Sequence, residues 1–259
     1  MRFPLLLAAP LLFSGCVVVD APETIEELVV FGFQNHTEGE QWREAFAEGL
    51  FPLVDDIWVD LNDEGYKVDN LNSDHLEAVG VENANTETII GALGAAEYTH
   101  GIDDVLWAIT YPDKSEVFEN FVEYDVVEQG DRDCFLAREC ESYTQHIDQT
   151  VEVLLVQTAR TVMFKDHRWV EIDGMDPFVI GRTLVPDPVE LGNPIIDVHQ
   201  QYDIFLIFPR DGAAARIETV WIDATFGDVE LPDYFLVDQA VNGMGNQAER
   251  IDELIDAER

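Results

Sequence analysis

From Ile195 to Phe208 the chain alternates: Ile196, Val198, Gln200, Tyr202, Ile204, Leu206 and Phe208 fall on one side of an extended backbone. Asp197, His199, Gln201 and Asp203 fall on the other. Strand side chains point to opposite faces with period two, so this run predicts a long strand with one apolar face and one wet face. PRDG (209–212) supplies turn residues, and Ala213 to Phe226 returns as the second arm of a hairpin. The expected register pairs Leu206 with Ala215, Ile204 with Ile217, Tyr202 with Thr219, Gln200 with Trp221 and Val198 with Asp223.

Other segments add strands and helices around this hairpin. EELVVFGFQ (26–34) reads as an opening strand, short and rich in Val and Phe. Thr37 and Glu40 have capping-box spacing, and Trp42, Ala45, Phe46, Gly49 and Leu50 then follow one helix face. Val54, Ile57, Trp58 and Leu61 continue that face beyond Pro52, as one helix or as two broken at the proline. Residues 63–100 mix short apolar pieces with Asn, Asp and Gly and give no clear element. VLWAITY (105–111) reads as a strand ended by Pro112, and 117–127 as a strand or short helix. Further strands are expected at 150–164, 168–172 and 177–185. A helix from Pro232 to about Ala257 closes the chain. Val237, Ala240, Val241, Met244, Ala248, Ile251, Leu254 and Ile255 form its apolar stripe. Gly243 and Gly245 interrupt it and read as a local bend, or else as a close approach to a sheet or ligand.

The order is strand, helix pair, many antiparallel strands, long terminal helix. That order is similar to the START-like, or helix-grip, fold. The resemblance implies an α+β domain over residues 26–259, a curved antiparallel sheet packed around the C-terminal helix, and a cavity between them. A β-sandwich or a calycin-type barrel with a terminal helix is the rival reading.

The first residues concern location. Arg2 precedes the apolar run Phe3 to Phe13, and Ser14 and Gly15 lead to Cys16. A positive start, a short apolar core and a small-residue exit mark a signal peptide, here residues 1–15. The run is shorter than the roughly 20 residues that span a bilayer. Leu12-Phe13-Ser14-Gly15-Cys16 resembles the lipobox of bacterial lipoproteins. The resemblance implies cleavage before Cys16, acylation of its sulfur, a tether over 16–25 and membrane attachment. With no acid beside Cys16 it implies the outer membrane, the domain facing the periplasm or the cell surface. Cys134 and Cys140 then remain, and an exported chain is expected to join them as a disulfide.

The chain carries 53 acidic and 14 basic residues, a net charge of −39. Its only lysines are Lys67, Lys114 and Lys165. Phosphate contacts need a basic surface, so nucleic acid is excluded as a partner. The acids are spread along a chain that is 47% hydrophobic, which can still build a core. Such acidic, lysine-poor surfaces resemble those of proteins from saline habitats. DLNDEG (60–65) imitates half of an EF-hand loop but has Leu71 where the bidentate Glu belongs, so it reads as a polar turn and no metal site is assigned.

No nucleophile elbow, P-loop or dinucleotide fingerprint is present. The chain reads as a non-enzyme without a cofactor. His199 between Asp197 and Asp203 reads as part of the wet strand face. On the apolar hairpin face, Gln200, Tyr202, Thr219, Trp221 and Asp223 mix a few polar groups into an apolar wall, the usual make-up of a ligand pocket. The favoured function is a membrane-anchored envelope lipoprotein that binds a small apolar or amphipathic ligand. The alternative is an envelope interaction or assembly protein with a solid core and a protein partner.

Overall fold

The computed structural model describes residues 19–82, 86–116, 121–154, 157–191, 197–225 and 233–259. Cys16 with its leader, residues 117–120, Ile195, Ile196, Phe226 and Pro232 lie outside the described residues. The elements are α1 (Ile25–Asn35), α2 (Glu40–Asp63), β1 (Tyr66–Val68), α3 (Ser73–Glu77), β2 (Ile90–Glu97), α4 (Ile102–Ile109), a 3-10 turn (Lys114–Glu116), β3 (Phe121–Gln129) and α5 (Arg132–Leu136). They continue with β4 (Ser142–Leu154), β5 (Gln157–Val170), β6 (Phe178–Val185), β7 (Glu190–Leu191), β8 (Asp197–Arg210), β9 (Ala213–Thr225) and α6 (Asp233–Glu258).

The strands form one antiparallel sheet in the order β1-β2-β9-β8-β6-β5-β4-β3, with β7 paired beside β5. This is the expected α+β class, an antiparallel sheet carrying a long C-terminal helix. The strand order has two free ends among the described residues, so it is neither a closed barrel nor a two-sheet sandwich. Both faces are covered. On one, Leu28, Phe33, Phe46 and Leu50 of α1 and α2 pack on Phe178, Ile180, Ile204 and Leu206. On the other, Leu106 and Ile109 of α4 and Ile251 and Leu254 of α6 pack on Val179, Phe205 and Ile207.

The opening segment is a helix, not the strand its Val and Phe content suggests. Thr24 Oγ1 accepts from the Glu27 N–H, and Glu26 and Glu27 complement the helix dipole. Ile25, Leu28, Val29, Gly32 and Phe33 keep helical spacing on the buried side. VLWAITY is also helical: Ile102, Val105, Leu106 and Ile109 form the buried face of α4, with Asp103 and Asp104 in its first turn. Helix α2 begins after Gly39 without a side-chain cap, so Thr37 does not form the expected box. It passes through Pro52 and loses helical geometry at Ile57. DLNDEG ends that helix, Gly65 taking a positive φ while its N–H donates to the Asp60 carbonyl. Strand β2 escaped detection because its sequence, IGALGAAE, is made mostly of small residues. The crossing of α6 requires them: a Cβ on Gly94 would meet Met244 Sδ at 2.8 Å.

The first arm of the hairpin runs on through Pro209 and Arg210, which were expected in the turn. Asp211 and Gly212 both have positive φ and make a two-residue turn, so Arg210 pairs with Ala213. As far as Gln200 each partner is therefore two residues further along: Leu206 opposes Ile217, Ile204 opposes Thr219, Tyr202 opposes Trp221 and Gln200 opposes Asp223, while Val198 opposes Ala224 and not Asp223. An even shift keeps each residue on its face. A bulge between Val198 and Gln200 then breaks the alternation at the far end of the strand.

Candidate functional site

The five residues expected to line a pocket do come together, in the interior beneath α1. Tyr202 OH donates to Gln200 Oε1 (2.7 Å), and Gln200 Nε2 donates to Asp223 Oδ2 (3.3 Å). Thr88 Oγ1 donates to the other Asp223 oxygen at 2.7 Å. Trp221 Nε1 donates to the Asp69 carbonyl at 2.9 Å. The Phe33 ring lies 5.3 Å from Trp221 and 6.1 Å from Tyr202, centroid to centroid, which closes the group from above. Thr219 is buried on the same face. Burial, then the Asp223 charge, pushes the Tyr202 phenol up to about 12. None of the five borders the cavities described next.

Open space lies on the opposite face, between the sheet and α6. A cavity of about 340 Å³ has a largely apolar wall of Val220 and Ile222 from β9 and Leu236, Ala240 and Met244 from α6. Glu218 and Gln201 are its polar groups on the sheet. A second cavity, of about 280 Å³, is bounded by Ala108, Lys114, Phe121, Arg250 and Ile251. Gly243 and Gln247 border both, so the two meet at one turn of α6. That helix runs unbroken through Gly243 and Gly245. A Cβ at either glycine would meet nothing within 4 Å. Gly243 thus leaves room beside the cavities.

The strand face read as wet is the floor of this region. Asp203 is only 4% exposed, covered rather than solvated. Cross-strand register sets Gln145 beside Lys165, Lys165 beside Thr183 and Thr183 beside Asp203, one polar row across the sheet. His199 sits beyond the bulge and is exposed. Arg216, two residues before Glu218 on β9, donates to it at 2.8 Å and to Gln247 Oε1 at 3.1 Å. Among the described residues, both ring nitrogens of His167, Gln145 Oε1 and Asp203 Oδ1 are buried without a hydrogen-bond partner.

Burial dominates the electrostatics here. It lowers Lys114 to about 7, helped by the charges of Lys165 and Arg216, and it lowers Lys165 as well. Burial, then the Lys165 charge, lowers His167 to about 3. It raises Asp203, and it raises Glu218 to about 7 although Arg216 opposes the shift. Nothing in the sequence pattern brings Lys114, Lys165, Arg216 and Gln247 together. The available signal was lysine scarcity: two of the three lysines in a strongly acidic chain are at this face.

Cys134, within α5, and Cys140, just before β4, are joined, Cα to Cα 5.3 Å. Among the described residues no helix is long and apolar enough to cross a membrane, and no cluster of three His, Cys, Asp or Glu is placed to hold a metal.

No family model matches this chain, and no curated protein matches it. Solved structures similar to it include Ara h 8.0201, at 14% identity over 65% of this chain and 99% of that one, TM-score 0.40. The human StarD13 lipid transfer and protein localization domain matches at 14% identity over 79% and 96%, TM-score 0.37. A STAR-related lipid transfer protein from Xanthomonas axonopodis matches at 10% identity over 75% and 99%, TM-score 0.39. These neighbours include the START-type domains that the element order resembles. The superpositions are loose, and the functional reading rests on the chain's own geometry.

Proposed function

We propose that this protein binds a small apolar or amphipathic molecule between its sheet and α6. The observation that carries the reading is the pair of adjoining cavities at Gly243 and Gln247. Each is near the lower end of the size range of ligand pockets, and the larger has the usual make-up of an apolar wall with few polar groups. The binding site therefore moves from the hairpin face proposed by sequence to the face beneath α6.

Gly243→Leu tests it. The new side chain would occupy the shared margin of the cavities, and replacing glycine inside a helix favours the helix by up to ~1 kcal/mol. The expected result is retained or raised thermal stability with lost uptake of a fluorescent apolar probe such as 1-anilinonaphthalene-8-sulfonate. Unchanged saturable uptake by the folded variant would move the site elsewhere. No uptake by the native chain would favour the solid-core assembly protein.

The same proposal places the domain on a bacterial membrane through acyl chains on Cys16, supported by the residues before it. One chain alone binds a bilayer marginally, and two give stable attachment. In a bacterial host the full chain is expected in the membrane fraction and Cys16→Ser outside it. Equal partition of the two would remove the anchor.

A further inference from the structure

Resting on the cavity reading above, we infer that the ligand is an anionic single-chain amphiphile, its acidic head beside Lys114 and its hydrocarbon in the larger cavity. The distribution of charge in the molecule carries this. The chain has 53 acidic residues, yet the charged neighbours that act on the Lys114 ammonium are Lys165 and Arg216, both cations. The adjacent acid, Asp113, is turned to Ser115, whose N–H and hydroxyl both donate to Asp113 Oδ1 (2.9 and 2.5 Å). Among the described residues Lys114 makes no hydrogen bond or ion pair through its ammonium, whereas the Asp203 and Glu218 carboxylates act on Lys165. Glu218 is already engaged by Arg216 at 2.8 Å. Lys114 and Arg250 both border the smaller cavity, and a ligand anion placed there would pair with them.

Both cavities have mostly apolar walls, and the cations are at the smaller one. Lys114 and Arg250 stand around the smaller, while Leu236, Ala240, Met244, Val220 and Ile222 line the larger. Volumes of about 280 and 340 Å³ suit one chain, not the two of a phospholipid.

Binding of dodecanoate, dodecyl phosphate and dodecanol to the purified full chain, in 1 M salt, tests the inference. High salt is chosen because the exterior repels anions in dilute buffer. At least one acid is expected to bind about tenfold more tightly than the alcohol, ~1.4 kcal/mol. The tighter of the two acids names the head group. Lys114→Gln should bring the acids down to the alcohol's affinity and leave dodecanol binding unchanged, and Lys114→Arg should keep the preference. Lys67→Gln, at an exposed lysine paired with Asp233, should change nothing. Equal binding of acid and alcohol by the native chain would overturn the anionic head and leave the cavity reading standing. No binding of any of the three would overturn both. If Lys114→Gln fails to fold, the acid-to-alcohol ratio of the native chain still decides.

Discussion

His36 closes α1 and is almost completely buried. Its Nε2 lies 2.8 Å from Asp166 Oδ1. Asp166 also accepts from Thr144 Oγ1 (2.9 Å) and Arg168 Nε (2.8 Å). Burial would raise the Asp166 carboxyl, but the bonds from His36 and Arg168 outweigh it and hold it well below the usual range. Burial likewise dominates at His36 and lowers it from 6.5 to about 4 despite Asp166. Between those two values the unfolded chain takes up a proton that the folded His36 refuses, so its contribution is present above pH 6.5 and is lost as pH falls toward 4. His167 acts in the same direction, and Glu218, raised to about 7, in the opposite one. The His36 part is isolated by comparing the native chain with His36→Gln. Urea unfolding from pH 6.5 down to pH 4.5 should show the native chain losing its advantage by up to ~1.4 kcal/mol per pH unit. Parallel profiles would mean that the folded protein accepts the proton. No spacing in the sequence joins residues 36 and 166, which explains why this pair was illegible there.

At the scale of elements, the disulfide is a short clasp between α5 and β4. Trp169 Nε1 donates to the Phe135 carbonyl at 2.8 Å beneath it, and Arg138 lies over the Trp169 ring at 4.5 Å. Replacing both cysteines by serine should lower stability by roughly 2 kcal/mol, the chain-entropy value for so small a loop. Denaturant midpoints of the oxidised native chain and the double variant measure it. Near-equal midpoints would mean that the surrounding packing holds the clasp without the bond. The elements legible in the sequence were those whose pattern and covering agree: β6, the β8–β9 hairpin and α6. Helices α1 and α4 were taken for strands because their short Val- and Phe-rich or Ile- and Trp-rich runs satisfy either period. Strand β2 was invisible because it is shaped by the helix that lies on it. Gly91 sits under Trp221 on one face and Gly94 under Met244 on the other.

For the whole molecule, net charge is the governing quantity. At −39 the folded state repels itself, and raising salt to about 1 M shortens the Debye length to about 3 Å. The melting temperature should therefore rise between 0.1 and 1 M sodium chloride, as calorimetry would show. A flat or falling curve would mean that local ion pairs, such as Arg160 with Asp148 at 2.7 Å, outweigh the global repulsion. The sequence by itself determined the charge, the long hairpin, the terminal helix and the residues that could pair as a disulfide. Each of these is local or additive along the chain. Only the tertiary structure decided which hairpin face encloses space. Both faces are covered, and alternation cannot distinguish a face that meets water from one that meets a second layer of helices. The face with Tyr202 and Trp221 is filled by Phe33, while the polar face carrying Asp203 is roofed by α6 and keeps its cavities, because packing between distant segments sets where side chains run out.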